Sequence, residues 1–195
     1  MGPDVTAIWK WLLIVLVGIA SMGIGFYWRQ WQEYEAFPAS SKPVSNADVL
    51  PDQRPSFTLP DITGEPRTVR EWDGSVLVIN FWAPWCAPCR HEIPTFVAMQ
   101  RAYKTQGLQF IGIAIDQTRP VVHYAQDVGI NYPILLARQT GADLSKKYGN
   151  HLGALPFTAI VDRHGQVVFT KAGPLKRTEL EAAIRPHLKS LSNAG

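Results

Sequence analysis

Apolar and polar positions follow three different regimes along the chain. From Trp11 to Trp28 an apolar run is interrupted by no charged residue. At about 1.5 Å per residue it reaches roughly 27 Å, close to the ~30 Å hydrocarbon thickness of a bilayer. Trp9, Trp11, Tyr27, Trp28 and Trp31 gather at its ends, as interfacial aromatics do, and Lys10 and Arg29 bound it. The run predicts an uncleaved transmembrane anchor over residues 1–31. A cleaved signal peptide would have a shorter apolar core and a small-x-small site, which Gly23-Ile24-Gly25 matches poorly. A buried soluble helix is the third reading. Basic residues do not orient the segment, because Lys10 with the amino terminus balances Arg29 with Lys42.

Residues 32–55 carry no apolar period. Pro38, Pro43, Pro51 and Pro55, with Ser40, Ser41 and Ser45, predict an extended Pro/Ser-rich linker. Residues 56–195 then show the periods of a folded domain. Phe57–Leu59 and Thr68–Arg70 flank Ile62-Thr63-Gly64-Glu65 and predict a short hairpin. Ser75–Phe81 is a β-branched apolar run, as in a buried strand. A helix follows from about Cys86 to Thr105, with Ile93, Phe96, Val97 and Tyr103 at spaced positions. Strands are predicted at Phe110–Ile115 and Pro133–Leu136, and helices at Val121–Val128 and Ala142–Tyr148, the latter closed by Gly149. Phe157–Val161 and Val167–Lys171 flank Arg163-His164-Gly165 as a second hairpin. Thr178 is the expected cap of a last helix to about Leu191, with Glu181 completing a capping box. The strand-helix-strand opening predicts an α/β domain, its central sheet partly parallel and flanked by helices on both faces.

Composition narrows the function classes. A chain of 195 residues suits one domain with an appendage, and a hydrophobic content of 46% is ordinary for a packed core. The net charge of +3 is small and no basic stripe occurs, so no nucleic-acid partner is expected.

The cysteines change the picture most. Only Cys86 and Cys89 occur. Closing so short a loop contributes roughly 2 kcal/mol of chain entropy, which makes the pair a poor brace. As a redox couple it is well placed, because Trp85-Cys86-Ala87-Pro88-Cys89 follows a buried strand and opens a helix. Cys86 would sit at the helix N-terminus, where unpaired N–H groups and the dipole favour an anion. A stabilised thiolate attacks disulfides and is also a better leaving group. Cys89, one turn in, is the expected resolving thiol. Zinc would need further ligands, and covalent haem would need a histidine where Arg90 stands. A Cu(I) carrier remains the alternative, since soft thiolates suit that ion.

Asn80-Phe81-Trp82-Ala83-Pro84-Trp85-Cys86-Ala87-Pro88-Cys89-Arg90-His91-Glu92-Ile93-Pro94 resembles the active-site region of TlpA/ResA-type proteins, anchored members of the thioredoxin superfamily. The likeness continues through Phe57-Thr58-Leu59-Pro60-Asp61, Leu155-Pro156-Phe157-Thr158 and Val161-Asp162-Arg163-His164-Gly165, and covers roughly residues 56–190. It implies a thioredoxin-like fold with an N-terminal β-hairpin and a central insertion, behind one transmembrane helix. It implies dithiol–disulfide exchange with no cofactor beyond the redox-active Cys86–Cys89 disulfide. Trp85, Leu155 and Pro156 are then the expected substrate-binding residues, with a cis peptide bond at Pro156. Glu92 matches an acidic residue that tunes the cysteines or relays protons, against the plainer reading of a solvated carboxylate, and Pro94 matches a helix-bending proline.

The resemblance also implies protein thiol and disulfide substrates in the cell envelope, a membrane electron donor of thiol-reductase type and a monomeric protein. The expected location is the bacterial inner membrane, single-pass, with the catalytic domain facing the periplasm. Reduction would serve cytochrome c maturation, copper-site assembly or general thiol rescue. Three departures matter. Asn80 stands where cytosolic thioredoxins carry a buried aspartate, which shifts weight to Glu92. Ala83 replaces the threonine that peroxiredoxins need. Gly153-Ala154-Leu155-Pro156-Phe157-Thr158 lacks the acidic stretch of the dedicated cytochrome-maturation branch, so a general reductase is favoured. No partners are identified for His91, His123, His151, His164 and His187, which are expected at surfaces and loops.

Overall fold

The computed structural model describes residues 51–189. The anchor expected over 1–31 and most of the linker expected over 32–55 lie outside the described residues. No helix among the described residues is long and apolar enough to cross a membrane.

The predicted first hairpin forms from β1 (Thr58–Pro60) and β2 (Pro66–Thr68), paired antiparallel. Asp61 organises its turn: the carboxylate accepts the Thr63 N–H at 2.8 Å and the Thr63 hydroxyl at 2.6 Å. Gly64 supplies the left-handed φ of 95° that the turn requires. A bridge between Asp61 and Leu135 fastens this hairpin to the edge of the main sheet.

The main sheet has five strands in the order β5-β4-β3-β6-β7. At its centre β3 (Val76–Trp82) lies parallel to β4 (Leu108–Ala114), the two joined through α1 (Ala87–Tyr103). A second crossover, α2 (Thr118–Val128), delivers β5 (Ile134–Leu136) parallel to β4. After α3 (Gly141–Lys147) the chain returns as β6 (Phe157–Val161), antiparallel to β3, and β7 (Val167–Ala172), antiparallel to β6. The last helix is α4 (Arg177–Ile184). The expected mixed α/β sheet is therefore present.

All seven residues of β3 are buried, and its alternation splits the core in two. Leu77, Ile79 and Phe81 join Ile111, Ile113, Leu144 and Tyr148 on one face. Val76 and Val78 meet Phe96, Met99 and Leu180 on the other, and Trp82 meets Cys89 and Ile93 there. Asn80 is the single polar residue of the strand, and it belongs to this second face.

Two helices differ from the sequence expectation in instructive ways. The last helix is capped by Lys176 and not by Thr178, which sits in the first turn. The Glu179 carboxylate decides this: it accepts the Lys176 N–H at 2.9 Å and the Lys171 ammonium at 2.7 Å, so Glu179 and not Glu181 closes the cap. The same helix stops at Ile184 and tightens into a 3-10 turn over Arg185–His187, well short of Leu191. Pro186 lacks the N–H a longer α-helix would use. In α1, by contrast, Pro94 is tolerated inside the helix. A proline there cannot pair with the Arg90 carbonyl, and the Tyr124 hydroxyl donates to that oxygen at 3.4 Å.

Candidate active site

The end of β3 and the start of α1 build the centre. After Trp82 the chain turns through Ala83, Pro84 and Trp85, and the Cys86 N–H donates to the Ala83 carbonyl at 3.1 Å. Cys86 takes the N-cap position with extended backbone. Its sulfur accepts the Cys89 N–H at 3.3 Å, one of the donors a helix start leaves without an internal partner. Pro88 follows within the first turn, where a missing N–H removes no helical bond.

Cys86 and Cys89 are joined as a disulfide. Cys89 is fully buried and Cys86 is 5% exposed, so the order of access is as expected. The Cys86 sulfur is more sheltered than an exposed turn predicts. Its cluster explains this: Trp82, Ala83, Ile93 and Ala114 pack with it, and Leu155 packs against them. Trp85 carries the openness instead, at 68% exposed. The Leu155–Pro156 peptide bond is cis, and Pro156 is buried at the start of β6.

Glu92 is not a solvated carboxylate. It is 4% exposed, and each of its oxygens has a designated donor. Oε1 accepts from Asn80 Nδ2 at 2.9 Å, and Oε2 accepts the Leu175 backbone N–H at 2.9 Å. Asn80 Nδ2 also donates to Thr158 Oγ1 at 3.1 Å, across the β3–β6 pair in which Asn80 and Thr158 are direct partners. Burial pushes the Glu92 carboxyl up from 4.5 to about 7, against the pull of the Leu175 N–H, the Asn80 amide and the Lys171 charge. Tyr132 is also raised, first by its own burial and then by the Glu92 carboxylate. A carboxyl that titrates near neutrality, one helical turn from Cys89, can both take and give a proton at working pH.

Thr158 and Leu175 were not foreseen. For Thr158 a signal existed: a lone hydroxyl inside the apolar strand Phe157–Val161, in the same way that Asn80 interrupts Val76–Trp82. For Leu175 none did, since only its backbone takes part. His91 and His123 are exposed, as expected, and each has one local partner that the sequence did not identify. His91 Nδ1 lies 2.9 Å from the Ala87 carbonyl, and His123 Nδ1 lies 3.1 Å from Asp127. Among the described residues no group of three or more His, Cys, Asp or Glu side chains is placed to hold a metal ion.

Residues 51–184 match the Redoxin family. The chain belongs to that family. Among curated proteins, this redoxin is 27% identical over 179 residues to the thiol-disulfide oxidoreductase ResA of Geobacillus kaustophilus, spanning 91% of this chain and 92% of the relative. The protein of the same name in Bacillus subtilis is 26% identical over 163 residues, 83% of each chain. Among solved structures, a thiol:disulfide interchange protein of the thioredoxin family from Chlorobium tepidum aligns with a TM-score of 0.64 and 29% identity, covering 70% of this chain and 96% of that one. The redoxin is thus a thiol-disulfide oxidoreductase of thioredoxin-like fold, and its redox couple is the Cys86–Cys89 pair itself.

Proposed function

We propose that this redoxin is a membrane-anchored disulfide reductase working outside the cytoplasm on proteins of the cell envelope. The observation that carries the reading is the asymmetry of the pair: Cys86 caps the helix and keeps the slight exposure of the disulfide, while Cys89 is fully buried. The Cys86 thiolate attacks one sulfur of a client disulfide and displaces the other as a thiolate. The Cys89 thiol then gives up its proton, its sulfur attacks Cys86 in the mixed disulfide, and the second client sulfur leaves. Two electrons pass to the client, which ends as a dithiol, and Cys86–Cys89 is left oxidised. Glu92 is assigned the proton. At about 7 its carboxyl matches a near-neutral compartment, which favours efficient transfer in both directions.

The apolar run from Trp11 to Trp28 and the Pro/Ser-rich stretch behind it support an inner-membrane anchor with the domain in the periplasm. A thiol-reductase donor in the same membrane would return the pair to the dithiol. Clients in cytochrome c or copper-site assembly, or a broader set of oxidised envelope thiols, fit this chemistry.

Trapping tests the reading. Cys89→Ala is expected to accumulate mixed disulfides with envelope proteins on non-reducing gels, and Cys86→Ala few or none. Equal trapping by both variants would remove the assigned asymmetry. The full chain is expected to fractionate with membranes, and a mature protein beginning after Gly25 would defeat the anchor. A reduction potential close to the about −270 mV of thioredoxin, and not the about −120 mV of a strong oxidant such as DsbA, fits the reductant direction. Tight Cu(I) binding without any trapping would replace the reductase with a copper carrier.

A further inference from the structure

Among the described residues only Ile62, Trp85 and Leu152 are large hydrophobic side chains left in the open, at 37%, 68% and 89% exposure. A single surface leucine is ordinary and needs no explanation. What sets Leu152 apart is how it is held and where.

Leu152 stands at the tip of the segment between α3 and β6, and a buried amide closes that segment on itself. Asn150 is 2% exposed. Its Nδ2 donates to the Ala154 carbonyl at 2.9 Å and to Ser145 Oγ at 3.2 Å, while its Oδ1 accepts the Ala154 N–H at 3.0 Å. The main chain adds the Gly153 N–H to the Asn150 carbonyl at 3.1 Å. Gly153 adopts a φ of 64° with nothing within 4 Å of a would-be Cβ, so glycine is there for the turn and not for space. The segment therefore spends a buried side chain and a left-handed glycine on fixing three exposed residues, His151, Leu152 and Gly153. Those residues build no core.

The place matters equally. Leu152 precedes Leu155 by three residues, a span of at most ~11 Å. Leu155 packs against the cluster that contains Cys86 and Cys89, and Trp85 adjoins Cys86 in the chain. The two most exposed hydrophobic side chains thus belong to the two segments that meet at the disulfide. Neither Ala83–His91 nor Gly149–Phe157 contains a carboxylate.

We propose that Leu152, together with Trp85, is a specificity element that selects client disulfides in extended chain segments with a bulky apolar residue beside the attacked cysteine. The inference rests on the exchange chemistry proposed above. The occupant is an unfolded or incompletely folded polypeptide, because such a chain leaves its apolar side chains available, whereas a folded client packs most of them in its core. Holding Leu152 in place beforehand removes the ordering cost that a floppy loop would add on binding. Through Leu155 the segment is attached to the cluster that holds the disulfide the client must reach.

The test uses the full chain in detergent, reduced, and two synthetic peptides with the same intramolecular disulfide. One peptide carries leucine beside the attacked cysteine and the other serine. The wild type is expected to reduce the leucine peptide about five- to tenfold faster in the second-order rate constant of a single turnover, the scale set by partial burial of one leucine. Leu152→Ser should lose most of that preference and leave the serine peptide unchanged, while Leu152→Met retains it. At so exposed a position the thermal unfolding of both variants should match the wild type. A preference that survives Leu152→Ser, or an equal slowing on both peptides, overturns the inference. If the wild type reduces neither peptide, the reductant direction fails instead. The same peptides as dithiols, offered to the oxidised protein, then decide the role of Leu152 by the same ratio.

Discussion

The two faces of β3 have opposite characters. On one, Leu77, Ile79 and Phe81 are apolar without exception, and Phe81 lies between the rings of Tyr148 and Phe157 at centroid distances of 5.9 and 6.0 Å. On the other, between Val78 and Trp82, stands Asn80, tied to Glu92 and Thr158. Both faces are equally dry. The first uses its dryness for packing. The second uses it to lift a carboxyl to about 7 one helical turn from the buried Cys89, and it tolerates a polar group in the core to do so. A buried polar group that is bonded on purpose is therefore the mark that separates the chemical face from the structural one.

The largest expected effect belongs to the structural face. Phe81→Ala should destabilise by about 3–5 kcal/mol, as large-to-small changes of buried aromatics do. Urea unfolding checks this, and the pH dependence of stability should be unchanged in the variant. A loss below about 1 kcal/mol would mean that this face is not the tightly packed half of the core.

The next effect belongs to Glu92. Its folded-state carboxyl titrates near 7 against 4.5 for an unperturbed group, so the folded protein holds this proton more tightly than the unfolded chain. The stability linked to it is complete below about pH 4.5 and is lost as pH rises through about 7. The oxidised wild type should therefore lose on the order of 3 kcal/mol across that window. In Glu92→Gln this component of the slope should vanish, leaving Lys171 and Tyr132 as the ionisable groups facing the site. Unfolding free energies at pH 5 and pH 8 decide the matter. Parallel curves for the two proteins would return Glu92 to a purely structural role.

The smallest effect should come from Asn80→Ala. It removes the donor on Glu92 Oε1, so the carboxylate loses one of the contacts that hold its proton affinity down. The midpoint of the pH-dependent stability should move upward from about 7, with a destabilisation of about 1–3 kcal/mol from the unpartnered groups. If Asn80→Ala costs stability and leaves the midpoint in place, the contrast between the two faces reduces to packing on both.

Much of the fold was readable because it is written in local periods. The run from Ser75 to Phe81 has the β-branched apolar pattern of a buried strand, and the Cys86–Cys89 spacing between a strand and a helix pointed to redox chemistry without any tertiary information. The hairpin turn at Ile62–Glu65 was equally local, since Asp61 and Gly64 make it within a few residues. The end of α4 was legible in principle from Pro186, but its start was not. That cap was set by Lys171 on a neighbouring strand as much as by Glu179 itself.

What only the tertiary structure decided is everything whose partners are distant in sequence. Glu92 looks like any helix carboxylate until α1 is laid on the sheet. Asn80 then reaches it across 12 positions, and the backbone of Leu175 across 83. Side-chain burial is a property of the neighbours a residue acquires, and proton affinity follows burial. The residue types that carry the exchange are therefore visible in the chain, and their proton affinities are set by how its layers pack.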